Sequence, residues 1–260
     1  MKEDDAYRKV AAILDDDPTV GRKTLSELTG YSEKICRKRK QWYIEIETAK
    51  QNSKPFPPVN TNPDVTTYAI LNDTHIPFQH NPALTIFNTI ARLVNPDVFL
   101  LDGDIGDFYE ISKFLKFKSC ILESEASEVR QFLRSLRARF PISKMVYIYG
   151  NHEHRWLMYL KKNAPAIADN PKFTLASYLE LKQLKIQHVY SGQPENYYAV
   201  PGTNYYVGHF NKVSKFSCYT AKNLIEDKNV NLIQAHTHRM GTYYKTTLGG
   251  DLVGYENGCS

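Results

Sequence analysis

Residues 144–155 read KMVYIYGNHEHR, and the rest of the chain can be placed around them. Met145 to Tyr149 is a run of apolar, aromatic and β-branched side chains with the length of one buried strand. Gly150 ends the run, and Asn151, His152 and Glu153 follow where a parallel strand gives way to its loop. Open α/β sheets collect their functional groups at that edge, beyond the carboxyl ends of the strands. An amide oxygen, an imidazole and a carboxylate in one turn point to a metal or phosphate site.

Working upstream, residues 67–71 predict a strand that ends in Asn72-Asp73-Thr74-His75. Residues 82–94 predict a helix, with Pro82 at a tolerated first-turn position. Residues 97–101 are a second buried strand, ending in Asp102-Gly103-Asp104-Ile105-Gly106-Asp107. Residues 123–140 form an amphipathic helix with Val129, Phe132, Leu133, Leu136 and Phe140 on its core face; Arg130, Arg134 and Arg137 make a solvated stripe. Downstream, helix is expected at 156–162 and 173–181, and strand at 185–190. Residues 197–200 and 205–207 suggest a hairpin around Pro201-Gly202, whose second strand runs into Gly208-His209. A helix at 216–226 precedes a strand at 229–235, which delivers His236-Thr237-His238. Two alternating strands, 242–247 and 252–255, turn around Gly249-Gly250. Alternation of strand and helix places this part of the chain in the α/β class.

The N-terminal fifty residues read differently. Ala6, Val10, Ile13 and Leu14 form a helical stripe over 3–15, which Asp17-Pro18 closes. A short helix at 23–29 would turn Leu25 and Leu28 inward and stop at Gly30. Ser32 caps a third helix with Ile35, Trp42 and Ile46 along one face. That order is the order of a helix-turn-helix module. Lys34, Arg37, Lys38 and Lys40 lie mostly off the stripe, suited to phosphates, and Gln41 could reach base edges. A plain helical bundle with a solvated basic face, used for subunit contacts and a homo-oligomer, accounts for the same residues. Residues 50–64 hold four prolines and no periodicity, which marks a linker. The expected organisation is therefore a small all-α domain at 1–50, a linker at 51–65 and an α/β domain at 66–260.

Bulk properties narrow the class. With 42% hydrophobic and 23% charged residues over 260 positions, the chain is an ordinary globular sequence. Net charge is +5, mild enough that any basic patch must be local; residues 1–50 hold 11 Lys/Arg against 10 Asp/Glu. Cys36, Cys120, Cys218 and Cys259 are scattered without a CxxC, which fits reduced thiols in a cytoplasm. The acidic start is unlike a signal peptide, and no apolar run approaches the roughly 18 residues that span a bilayer, so no membrane partner is expected.

Five predicted strands each deliver metal-type ligands at their C-terminal ends: Asp73 and His75, Asp104 with Asp107, Asn151 and His152, His209, then His236 and His238. Each has a dull explanation alone, as turn chemistry or a core histidine. A coincidence repeated at five strand ends does not.

The series DTH, GDIGD, GNHE, GH and HTH resembles the calcineurin-like metallophosphoesterase superfamily, over about residues 66–260, and NHEHRWLMYLKKNAPAIA is similar to its phage and bacterial members. The resemblance implies an α/β (α+β) fold, a two-layer sandwich of mixed β-sheets flanked by helices, and two divalent metal ions at the sheet edge. It implies that one ion takes Asp73, His75 and His238 and the other Asn151, His209 and His236. Asp104 would bridge both, offering two oxygens. A metal-bridging hydroxide would attack phosphorus, and His152 would stand beside the metals as the acid. Ligands of nitrogen and oxygen without thiolate suit manganese first, with iron or zinc as alternatives. Asp107 and Glu153 would orient ligands through hydrogen bonds. Arg155 and Arg239 could meet a substrate phosphate or serve as salt bridges to Glu153 or Asp107.

Departures from relatives bear on the substrate. Relatives acting on phosphoproteins usually have Arg where this chain has Phe108. Double-strand-break repair nucleases usually have His at Asp107 and Asp at Glu153. The leading expectation is a DNA-acting phosphodiesterase or nuclease tethered by the N-terminal helices. The alternatives are a phosphomonoesterase or protein phosphatase with a docking module, and a DNA-binding regulator with a vestigial metal site.

Overall fold

The computed structural model describes residues 2–52, 65–117 and 121–259. Most of the expected linker, residues 53–64, and Cys120 lie outside the described residues. The chain forms two compact units, Met1–Pro58 and Val59–Ser260.

In the first unit, α1 (Lys2–Asp16), α2 (Arg22–Thr29) and α3 (Glu33–Asn52) pack around Val10, Leu14, Leu25 and Cys36. Gly30 ends α2 in the left-handed conformation at φ 74°, which glycine adopts without a Cβ penalty. Two expected core positions are corrected. Leu28 and Ile35 are exposed, and Cys36 and Arg39 are buried instead. Leu28 lies in the last turn of α2, just before the Gly30 cap. On α3, positions 36 and 39 share a face that 35 does not. The expected inward side chains of Trp42 and Ile46 lie outside the described residues.

The second unit contains α4 (Asn81–Val94), α5 (Leu122–Arg139), α6 (Asn151–Asn163), the one-turn helices α7 (Pro165–Ala168) and α8 (Leu175–Tyr178), and α9 (Tyr219–Lys228). Its strands are β1 (Tyr68–Leu71), β2 (Val98–Asp102), β3 (Lys144–Ile148), β4 (Ile186–Val189), β5 (Asn196–Ala199), β6 (Tyr205–His209), β7 (Asn231–Gln234), β8 (Met240–Thr247) and β9 (Gly250–Asn257). Among the described residues, β1-β2-β3-β4 form one parallel sheet and β5-β6-β7-β9-β8 a mixed one.

Side-chain alternation explains the layering. On β2, Val98 and Leu100 point between the sheets, where they meet Val146, Ile148 and Val207. Phe99 and Leu101 point the other way, against Leu133 and Leu136 of α5. On the far side, Ala221, Leu224 and Ile225 of α9 cover Leu232 and Leu252. The order is helix, sheet, sheet, helix, the expected sandwich. β2 and β3 are buried almost throughout because both of their faces are covered.

Two boundaries differ in ways that matter. Helix was expected from 156, but α6 starts at Asn151, so Asn151, His152 and Glu153 form its first turn rather than a loop. Gly150 is the N-cap, and its N–H donates to the Glu153 carboxylate at 2.9 Å. The expected helix at 173–181 is broken into a 3-10 turn, Pro171–Phe173, and α8.

Candidate metal centre

Asp73, His75, Asp104, His152, His209, His236 and His238 converge at the C-terminal ends of β1, β2, β3, β6 and β7. They form three overlapping groups able to hold a metal ion: Asp73, His75 and His238; His75, Asp104 and His152; Asp104, His209 and His236. Five of the ligand candidates, Asp73, His75, Asp104, His236 and His238, have φ between 48° and 74°. Such backbone is uncommon for residues with a Cβ, and it turns these side chains back over the strand ends.

Around Asp73, the Oδ2 atom accepts from Asn72 Nδ2 at 2.6 Å and from the His236 N–H at 3.0 Å. The other oxygen, Oδ1, is buried with no hydrogen-bond partner among the described residues. It lies 3.2 Å from His238 Nε2 and 3.9 Å from His75 Nε2, and those two nitrogens are 3.1 Å apart. Asn72 is itself held, donating to the Gly258 carbonyl at 2.6 Å and accepting from Asn257 Nδ2 at 2.6 Å. The closing Asn257-Gly258 turn therefore fixes Asp73 through Asn72, a residue the sequence did not single out.

The second group centres on His209 Nε2. His209 Nδ1 donates to the Asp102 carbonyl at 3.2 Å, so Nε2 faces the site. Within reach of Nε2 are Asn151 Oδ1 at 3.0 Å, His236 Nδ1 at 3.2 Å and Asp104 Oδ2 at 3.4 Å. A single proton on Nε2 can satisfy one of these three. A cation at their centre satisfies all of them, and together with the orphaned Asp73 Oδ1 this shows that the residues fit a divalent ion. Asn151 thus stands with His209 and His236.

Asp104 differs from expectation in one respect. Its Oδ1 accepts the His152 N–H at 2.9 Å, and a Cβ on Gly150 would come within 2.3 Å of that atom. Only Oδ2 points into the cluster, so sharing between the two groups would use one oxygen rather than both. Burial opposes charge on Asp104, but His209, His152 and His75 outweigh it and hold the carboxyl well below the usual range. Burial likewise opposes protonation of His209, yet Asp104, Asp73 and Asp102 lift it to about 10. Burial and the neighbouring His209 depress His236. The carboxylates thus create a strong local demand for positive charge.

Asp107 and Glu153 set the frame. Asp107 Oδ1 accepts from His75 Nδ1 at 3.0 Å and lies 3.1 Å from His152 Nδ1. Burial again opposes its charge, and the two histidines overcome that and keep it strongly acidic. Glu153, fully buried, accepts the N–H groups of Asp104, Ile105, Gly106 and Gly150 and the Tyr147 hydroxyl. It staples the β2 loop to the start of α6. Burial and the charge of Asp104 push its carboxyl up, and these donors work against that.

His152 Nδ1 donates to the Asp107 carbonyl at 2.8 Å, leaving Nε2 toward the site, 3.7 Å from Asp104 Oδ2. Arg155 donates to that Nε2 at 2.8 Å and to the Asp107 carbonyl at 2.8 Å. Arg155 is thus a clamp on His152 and Asp107. Arg239 donates to the Ser214 carbonyl rather than to Glu153 or Asp107. His154 pairs with the Tyr190 hydroxyl and His188 stacks on Tyr149, outside the cluster.

The family model for calcineurin-like phosphoesterases matches residues 66–257. The Gene 54 protein of Mycobacterium phage D29 is 28% identical over 180 residues, covering 66% of this chain and 69% of that protein. The Gene 54 protein of Mycobacterium phage L5 is also 28% identical, with the same coverage of 66% and 69%.

Proposed function

The chain belongs to the calcineurin-like phosphoesterase family, a family of metal-dependent hydrolases of phosphoric esters, and on that premise we propose that it cleaves phosphodiester bonds in DNA at a two-metal centre. The observation that carries this is the sharing of Asp104 between the His209–His236 group and the His75–His152 group, beside the Asp73–His75–His238 group. Two divalent cations, when bound, supply Lewis-acid charge and an activated water for in-line displacement at phosphorus. Asp73, His75 and His238 would hold one and Asn151, His209 and His236 the other, with Asp104 available to both. Manganese suits this nitrogen and oxygen set, and iron or zinc are compatible with it.

The chain's own residues supply the rest. Asp107 fixes the Nδ1 side of both His75 and His152, so each presents Nε2. His152 Nε2 accepts from Arg155 here, so it would have to part from the guanidinium and take up a proton before it could protonate the departing oxygen. Arg155 fixes the His152 ring and keeps a cationic group near the leaving-group side.

Two observations favour a diester of DNA over a phosphoprotein. Phe108, where phosphoprotein-acting relatives usually have Arg, is fully buried near Trp156 and offers no cation to a terminal phosphate. In the N-terminal unit, Lys34, Arg37, Lys38 and Gln41 are exposed along α3, as a helix that meets DNA requires. Lys40 drops out of that set, since its ammonium donates to the carbonyls of Val20 at 2.6 Å and Pro18 at 3.2 Å. The test is turnover of an aryl phosphomonoester, an aryl phosphodiester and plasmid DNA with Mn²⁺ supplied. Preference for the diester and nicking of the plasmid are expected. Preference for the monoester with intact plasmid would transfer the assignment to a phosphomonoesterase.

Among the described residues no helix is long and apolar enough to cross a membrane. Cys36, Cys218 and Cys259 are free thiols, consistent with a reducing cytoplasm as the working compartment.

A further inference from the structure

Two loops at the rim of the metal centre share an unusual composition. Residues 112–117, SKFLKF, follow the Asp107 motif, and residues 211–219, NKVSKFSCY, follow His209. Neither contains a carboxylate. Three of the four Lys-Phe pairs in the chain fall within them, at 113–114, 116–117 and 215–216. Their aromatic rings stand in solvent: Phe114 is 65% exposed, Phe117 89%, Phe216 55% and Tyr219 52%. Folding normally buries such rings, because each exposed one forgoes a favourable transfer from water. Here lysines accompany them. Lys113 lies 5.7 Å from the Phe114 ring centre and Lys215 5.2 Å from that of Phe216.

Both loops are anchored to residues just beyond candidate ligands. The Phe117 N–H donates to the Tyr109 hydroxyl at 2.7 Å, Tyr109 meets Phe78 edge-on at 6.0 Å, and the Phe78 N–H donates to the His75 carbonyl at 2.6 Å. On the other flank, the Ser214 carbonyl accepts from Arg239, the neighbour of His238. His75 and His238 meet through their Nε2 atoms at 3.1 Å, so one loop is linked to the His75 end of that pair and the other to the His238 end.

We propose that these loops are two lips that grip single-stranded DNA, stacking unpaired bases on Phe114, Phe117, Phe216 and Tyr219 while Lys113 and Lys215 neutralise its phosphates. The proposal rests on the phosphodiesterase reading above and narrows its substrate to unpaired strands. Unpaired bases offer π-faces to solvent-exposed rings, whereas a duplex hides those faces in its own stack. The lysines select an anionic partner over an apolar protein surface. Lys116 and Lys212 are partly engaged, by the Ser112 carbonyl at 2.8 Å and by Asp227 at 3.0 Å, and are secondary here.

The test uses the full chain in chelator, so that strands stay intact. Fluorescence anisotropy measures affinity for a labelled oligo-dT of about 20 nucleotides and for a duplex of the same length. The single strand binds more tightly, and the pairs Phe114→Ala with Phe117→Ala, or Phe216→Ala with Tyr219→Ala, weaken it roughly tenfold or more, with much smaller loss on the duplex. Phe117→Leu with Phe216→Leu keeps apolar bulk but removes the stacking faces, and is expected to weaken the single strand as well. Leu248→Ala, at the exposed β8–β9 turn, leaves it unchanged. Unchanged single-strand affinity in both alanine pairs would overturn the proposal. So would equal losses on strand and duplex, or loss of self-association in place of DNA binding. Turnover of an aryl phosphodiester, which has no base, tests the catalytic reading separately. Turnover without single-strand preference removes only the lips, and single-strand preference without turnover removes only the catalysis.

Discussion

Asp107 and Glu153 stand out in the sequence through their motifs, but what they touch does not. Asp107 joins two imidazoles through one carboxylate oxygen. Replacing it by Asn leaves the shape and removes the charge, so metal affinity is expected to fall about 10- to 100-fold, read by Mn²⁺ titration of the metal-free protein. Glu153 gathers backbone donors from two segments that are distant in sequence, which no local pattern could disclose. Glu153→Gln places an amide N–H among those donors. It is expected to cost about 3 kcal/mol or more in urea unfolding, because buried donors lose a charged acceptor. His209 gives the pH dependence. Its folded pKa is raised from 6.5 to about 10, so in metal-free protein its proton stabilises the fold fully below about pH 6.5. That contribution is lost as pH rises through the folded value. Metal-free protein is thus expected to melt at lower temperature at pH 9 than at pH 6.5, while Mn²⁺ binds more tightly at pH 9 because the same proton must leave. A melting temperature that rises over that window would contradict the assignment of His209.

At the scale of elements, the strands were readable because burial on two faces leaves runs such as VFLL and MVYI with no other explanation. The ligand-bearing ends were readable because a strand stops where polar residues cluster. The start of α6 was not, since Gly150 reads as a loop residue until its N–H is seen to meet Glu153. Nor were the inward faces of α2 and α3, where Leu28 and Ile35 look like core and Cys36 and Arg39 take that place. Two glycines show how tightly these ends are set. A Cβ on Gly103, at φ +76°, would lie 2.4 Å from His209 Nδ1, and one on Gly150 would lie 2.3 Å from Asp104 Oδ1. Gly103→Ala is therefore expected to destabilise the fold by about 1–3 kcal/mol or more and to displace His209, seen as loss of metal binding in the variant that still folds.

For the whole molecule, the composition shift after residue 50 led to an expected boundary there, and the chain forms two compact units, Met1–Pro58 and Val59–Ser260. Removal of residues 1–55 is expected to spare turnover of a small aryl phosphodiester and to weaken duplex binding, with a shallower dependence on salt. Unchanged duplex affinity would make α1 to α3 a protein-docking unit. The groups able to hold a metal lie wholly in the second unit, and two of the three share Asp104. The most direct measurement is the rate at which Mn²⁺-loaded wild type and Asp104→Asn hydrolyse an aryl phosphodiester. Turnover by the wild type and a fall of more than about 100-fold in the variant is the expected result; equal rates would mean that the reaction does not run through this site.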